Sequence, residues 1–134
     1  MSYLTRVLYP LPDHRRTGWS LFHWWESRRL TYNVAVGGAG LFTLGAVHLL
    51  AWLPPGVPMS VGWQPVVAFG VLANVCYTGG WLMELGMKAL WGPDSPRAGP
   101  ALFRQGLIFS VGVTQLPVLL SAFWWITRVI RAIF

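Results

Sequence analysis

The chain has 134 residues, of which ten are Lys or Arg and four are Asp or Glu. A charged share of 10%, against about 25% in an ordinary soluble domain, joins 54% hydrophobic residues and a mean hydropathy of +0.50 to exclude a water-soluble fold. The net charge of +6 contains no basic run longer than two residues, so the expected partner is the lipid bilayer and not nucleic acid.

Residues 1–32 read as a cytoplasmic or interfacial segment. Arg6, Arg15, Arg16, Arg28 and Arg29 all precede the first long apolar stretch, and no basic start leads into an apolar core, so a cleavable signal peptide is not expected. Residues 20–30 (SLFHWWESRRL) predict a short helix with Ser20 as N-cap and Glu26 three residues before Arg29. Its apolar residues scatter around the helical wheel, which fits either an interfacial helix or a cytoplasmic extension of the first span.

Three stretches, about 33–53, 66–85 and 107–126, are long and apolar enough to cross a bilayer, which takes about 20 helical residues. Residues 127–134 form a short C-terminal tail. Pro54, Pro55, Pro58 and Pro65 make the first connector rigid and uncharged, whereas GPDSPRAGP (92–100) is a polar turn. The expected fold is therefore all-α: one membrane domain, 1–134, with three transmembrane helices and a short N-terminal interfacial or cytoplasmic helix. Nine Trp, seven Phe and four Tyr suit a chain with two lipid–water boundaries. Basic residues concentrate in the N-terminal segment and around the second connector, including Lys88, Arg97 and Arg104, so the positive-inside rule places the N-terminus in the cytoplasm and the C-terminus in the periplasm.

Three blocks stand out together: WWESRRLTYN (24–33), ANVCYTGGWLMEL (73–85) and LFRQGLIFSVGVTQLP (102–117). Their combination resembles a family of small, uncharacterised bacterial integral membrane proteins with a WWE..R..YN block before the first span and an N..YT.GW..E block in the second. The resemblance implies a bacterial inner (cytoplasmic) membrane location and brings no activity, substrate or cofactor.

Polar residues inside the spans are the candidate sites. Gly70, Asn74, Tyr77, Trp81 and Glu84 recur at spacings of 4, 3, 4 and 3 on one face of the second span, and Asn33, Gly37, Gly40, Leu44 and His48 form a face of the first. Arg104 and Gln115 share a face of the third. Threading the spans antiparallel, with Asn74 and Gln115 near the midplane, places Glu84 and Arg104 about 15 to 16 Å away from it, in one layer with Asn33. That layer of Asn33, Glu84 and Arg104 reads either as an ion or proton relay or, more plainly, as an ion pair with hydrogen-bonding neighbours that fixes register, and the polar pair Asn74 and Gln115 at the midplane reads either as substrate ligands or, more plainly, as side chains that hydrogen-bond across helices. His48 is a candidate axial ligand for haem iron or chlorophyll magnesium, with a hydrogen bond to Ser121 or to interfacial water as the plainer alternative. Gly106, Ser110, Thr114, Pro117 and Ser121 form a small-residue stripe some 140° around the third span from Arg104 and Gln115, which is expected to dock a helix of another chain, a lipid or a pigment, unless Gly106 and Ser110 pack against the first span.

Catalytic templates fail. His23 and Glu26 have di-iron spacing without the other carboxylates, Gly38, Gly40 and Thr43 imitate part of a dinucleotide fingerprint without a strand, and Cys76, the single cysteine, lies in a span with no adjacent base. The expected function is therefore non-enzymatic: an accessory or stabilising subunit of a larger membrane protein complex. Alternatives are a tetrapyrrole-binding subunit of a photosynthetic or electron-transfer complex through His48, and a small transporter or channel component.

Overall fold

The computed structural model describes residues 17–92 and 98–134, and its regular elements there are all helices: α1 (Gly18–Trp52), α2 (Trp63–Trp91), α3 (Gly99–Thr114) and α4 (Leu116–Ile133). Three bodies are long and apolar enough to cross a membrane, because α3 and α4 together act as the third. Arg6, Arg15, Arg16 and Arg97 lie outside the described residues.

Residues 20–30 do not form a helix of their own. They are the first turns of α1, whose 35 residues reach about 52 Å, well beyond the roughly 30 Å hydrocarbon layer. The cap is Thr17, not Ser20: the Thr17 hydroxyl accepts from the Ser20 amide at 3.2 Å, and the Ser20 hydroxyl donates to the Thr17 carbonyl at 2.9 Å. No helix-breaking residue separates Leu30 from the apolar run, so the helix continues without interruption. Residues 53–62 then carry Pro54, Pro55 and Pro58, and α2 begins at Trp63, earlier than its apolar core suggests, so that Pro65, expected in the connector, lies in its first turn, where no N–H is needed. It ends at Gly92, whose φ of 61° favours glycine and whose amide caps Lys88 O.

The third span breaks at Gln115, and the expected tail at 127–134 is helical through Ile133. Pro117 has no N–H for the preceding turn, and its ring displaces the carbonyls behind it. The Val118 amide accordingly bonds Gln115 O at 3.0 Å, one residue short of an α-helical partner, which leaves Thr114 O without its usual donor. The Thr43 hydroxyl of α1 supplies that bond at 2.8 Å. A neighbouring helix thus satisfies the backbone acceptor that proline releases, as an apolar surrounding requires.

α1 is the central helix, packed against α2, α3 and α4. Its buried residues, Leu21, Trp25, Tyr32, Val36, Thr43, Val47 and Ala51, recur at 4, 7, 4, 7, 4 and 4, a seam of the kind used by left-handed bundles. The face expected from sequence (Asn33, Gly37, Gly40, Leu44, His48) runs one residue later for most of its length, or about 100° around the helix; Asn33, Gly37 and His48 are exposed and Gly40 and Leu44 only partly covered. At the far end, α4 buries no residue fully, and its Arg128 guanidinium donates to Leu50 O at 2.7 Å and Pro55 O at 2.6 Å. It therefore caps the C-terminus of α1, where a cation is electrostatically favoured.

Candidate functional site: an aromatic and carboxylate junction

The buried core collects at the end of the bundle that holds the α1 N-terminus. Trp25, Tyr32 and Val36 of α1 meet Ala73 and Tyr77 of α2 and Phe103 of α3. Trp25, 1% exposed, is the centre. Its ring makes edge-to-face contacts with Trp24, Tyr77 and Phe103 at centroid distances of 5.3, 5.4 and 6.2 Å, and it covers Gly80 so closely that an added Cβ there would stand 3.1 Å from the indole. Glycine at 80 is what lets α2 approach.

Glu84 is the chemically unusual member. Its side chain is 3% exposed, and its Oε2 accepts the Trp25 indole N–H at 2.8 Å. The first turn of α3 lies against the same carboxylate: a Cβ on Gly99 would come within 2.5 Å of Oε2 and 2.9 Å of Oε1. A carboxylate at a helix N-terminus faces its positive end, so α3 contributes electrostatically to holding Glu84 there. One residue from each of three helices, Trp25, Glu84 and Gly99, is therefore fitted to the others.

Two tyrosines extend the junction along the bundle. The Tyr77 hydroxyl donates to Trp25 O, and the Tyr32 hydroxyl donates to Ala73 O at 3.2 Å while sharing a 2.8 Å bond with Ser110 Oγ. Tyr32 so ties α1 to both α2 and α3. On the outer side of Tyr77, Arg29 stacks over the ring at 5.0 Å, grips Glu26 through Nε and Nη2 at 2.9 and 2.7 Å, and reaches Asn74 and Thr78 at 3.5 Å. Arg29–Glu26 is the ion pair present among the described residues.

The polar layer expected from sequence is not assembled. Glu84 meets Trp25 and Gly99 instead of Asn33; Asn33 and Arg104 are both exposed, and no ion pair joins Glu84 to Arg104 among the described residues. Asn74 turns its amide to Gly70 O at 3.0 Å, and Gln115 is the half-buried residue of the helix break. His48 bonds Leu44 O and not Ser121. The small-residue stripe is divided: Ser110 faces Tyr32, Thr114 is buried with its carbonyl on Thr43, Ser121 is half-buried, and Gly106 and Pro117 are exposed. Ser110 and Thr114 thus belong to the bundle's own packing, which corrects the docking expectation for that stripe.

Sequence reasoning missed Trp25, Tyr32, Thr43, Gly80, Gly99 and Phe103. Trp25, Tyr32, Val36 and Thr43 do share a spacing of 7, 4 and 7, but the surrounding Leu, Val and Phe residues are equally apolar on every other face. Among the described residues, no group of three or more His, Cys, Asp or Glu could hold a metal ion. Comparison with protein-family models, curated proteins and solved structures gives no match for this chain.

Proposed function

We propose that this chain is an accessory, stabilising subunit of a larger complex in a bacterial inner membrane, and that it performs no catalysis of its own. The observation that carries this reading is α4. It is anchored to α1 through Arg128 and through Trp125, whose indole N–H donates to Pro54 O at 3.2 Å, yet it buries no residue fully and presents Leu116, Leu119, Leu120, Phe123 and Trp124 outward. The polar groups of Trp25, Glu84, Tyr32, Ser110 and Thr43, by contrast, are engaged in fixing α1, α2 and α3 to one another, which suits a rigid framework more than a reaction site.

Orientation follows from charge. Among the described residues Arg28, Arg29, Lys88 and Arg104 lie at the end with the α1 N-terminus, whereas Arg128 and Arg131 lie at the other, so the four-to-two excess there supports a cytoplasmic N-terminus. A cysteine at position 57 is expected to react with an impermeant maleimide from the periplasm; labelling only from the cytoplasm would invert the topology.

The accessory role is tested by mild extraction into polymer nanodiscs followed by native electrophoresis and quantitative mass spectrometry. Co-migration with a partner at fixed stoichiometry, lost on Leu119→Ser with Phe123→Ser, is the expected result. A monodisperse free chain at native expression, or a stoichiometry indifferent to those substitutions, would overturn it.

A further inference from the structure

We infer that the outward face of α1 carries an axial-ligand site for a metallotetrapyrrole, with His48 Nε2 as the ligand. This site is independent of the accessory reading. His48 is exposed, and its Nδ1 lies 2.7 Å from Leu44 O. A carbonyl oxygen only accepts, so Nδ1 carries the proton and Nε2 bears the lone pair. A ring N–H held by a backbone carbonyl is the arrangement that fixes tautomer and ring direction in metal-ligating histidines and raises the basicity of the other nitrogen.

The surroundings select the class of metal. A lone imidazole cannot hold a bare ion, which takes several protein ligands, and no group of three or more His, Cys, Asp or Glu occurs among the described residues. It is, however, a complete axial complement for a metal whose four equatorial positions a macrocycle already fills. In the neutral ring the exposed Nε2 keeps its lone pair, and such a metal is a Lewis acid that can take it.

The same face is shaped for a flat ligand. Val34, Gly38, Leu41, Gly45, His48 and Trp52 recur at 4, 3, 4, 3 and 4, and all six are exposed. Gly45 lies just under one turn before His48, beneath the area that a helical side chain at 48 covers. No atom lies within 4 Å of where a Cβ would stand on Gly38 or Gly45, so the floor is open down to the backbone. Leu41 and Trp52, about 16 Å apart along the axis, border it with apolar surface.

The test uses the full chain in lipid nanodiscs, titrated separately with haemin, magnesium chlorophyllide and zinc protoporphyrin. Saturable binding of one macrocycle per chain is expected, with a shifted Soret band and, for reduced haem, an iron–imidazole stretch in the resonance Raman spectrum. The haemin and chlorophyllide arms distinguish an electron-transfer site from a pigment site by their relative affinities. His48→Ala, and Gly45→Leu, which keeps the ligand and fills the floor, should each weaken binding by about tenfold or more. Binding to His48→Gly should return with added imidazole. Unchanged helical circular dichroism separates these effects from misfolding. Absence of saturable binding by all three macrocycles, or affinity unaltered by both His48→Ala and Gly45→Leu, overturns the proposal. A dimer that depends on Gly45 and His48 and binds no macrocycle overturns it too, and assigns the face to a second copy of this chain.

Discussion

Replacing Thr43 with Val tests the account of the helix break. The substitution preserves shape while removing the hydroxyl that bonds Thr114 O at 2.8 Å. Thr114 O is buried among helices and has lost its own-helix donor to Pro117, so the mutant leaves a carbonyl without a partner in a place water does not reach. Interhelical hydrogen bonds in membranes are worth about 0.6 to 1.7 kcal/mol, and an acceptor left unmade lies toward the upper end of that range. The unfolding equilibrium should therefore shift by about threefold to twentyfold. Pro117→Ala supplies the control, because an alanine amide allows the α-helix to continue and lets Val118 N–H turn to Thr114 O. In the Pro117→Ala background, Thr43→Val should be close to neutral, giving a coupling of about 1 kcal/mol in the double-mutant cycle. Denaturation in bicelles by added SDS, followed by circular dichroism and Trp fluorescence, measures all four corners. Equal costs of Thr43→Val in the two backgrounds would refute the claim that Thr43 replaces the donor that Pro117 takes away.

Three further outcomes follow from the junction. Trp25→Phe keeps most of the aromatic packing and removes the indole donor to the buried Glu84, so it should destabilise by about 1 to 3 kcal/mol in the same assay, whereas Glu84→Gln retains an acceptor for that N–H and should be milder; equal effects would assign the carboxylate's role to its charge. Gly99→Ala places a methyl 2.5 Å from the Glu84 carboxylate and should be more damaging than Gly106→Ala, whose added Cβ meets nothing within 4 Å; thermal melts compare them directly. Ser110→Leu with Thr114→Leu should lower the stability of the isolated chain, because both residues face α1; an unperturbed melt would return these residues to an external docking surface.

The number of long apolar helical bodies is legible in the sequence, because a bilayer of fixed thickness demands about 20 apolar residues per crossing and the chain has three such runs separated by Pro-rich and polar connectors, whereas the helix ends are not: α1 starts at Gly18 and the third body runs from Gly99 to Ile133. The spacing of Tyr77, Trp81 and Glu84 also marks a shared face of α2, for polar and amphipathic side chains are distinguishable in an apolar helix, and Tyr77 and Glu84 of that face are buried while Gly70 is exposed. The rotation of α1 was not legible. Leu, Val and Phe are as stable against lipid as inside the bundle, so hydropathy carries no inside and outside signal, and a shift of one residue turned the expected face by about 100°. The continuity of residues 20–30 with α1 likewise depends on what they pack against: Trp25 is buried by α2 and α3, which only the assembled bundle supplies. Glu84 illustrates the same limit most sharply. Its depth was readable from its position in the span, but its choice of the Trp25 indole and the α3 N-terminus over Arg104 is decided by close approach at Gly80 and Gly99, two residues whose significance lies in the atoms that other helices bring to them.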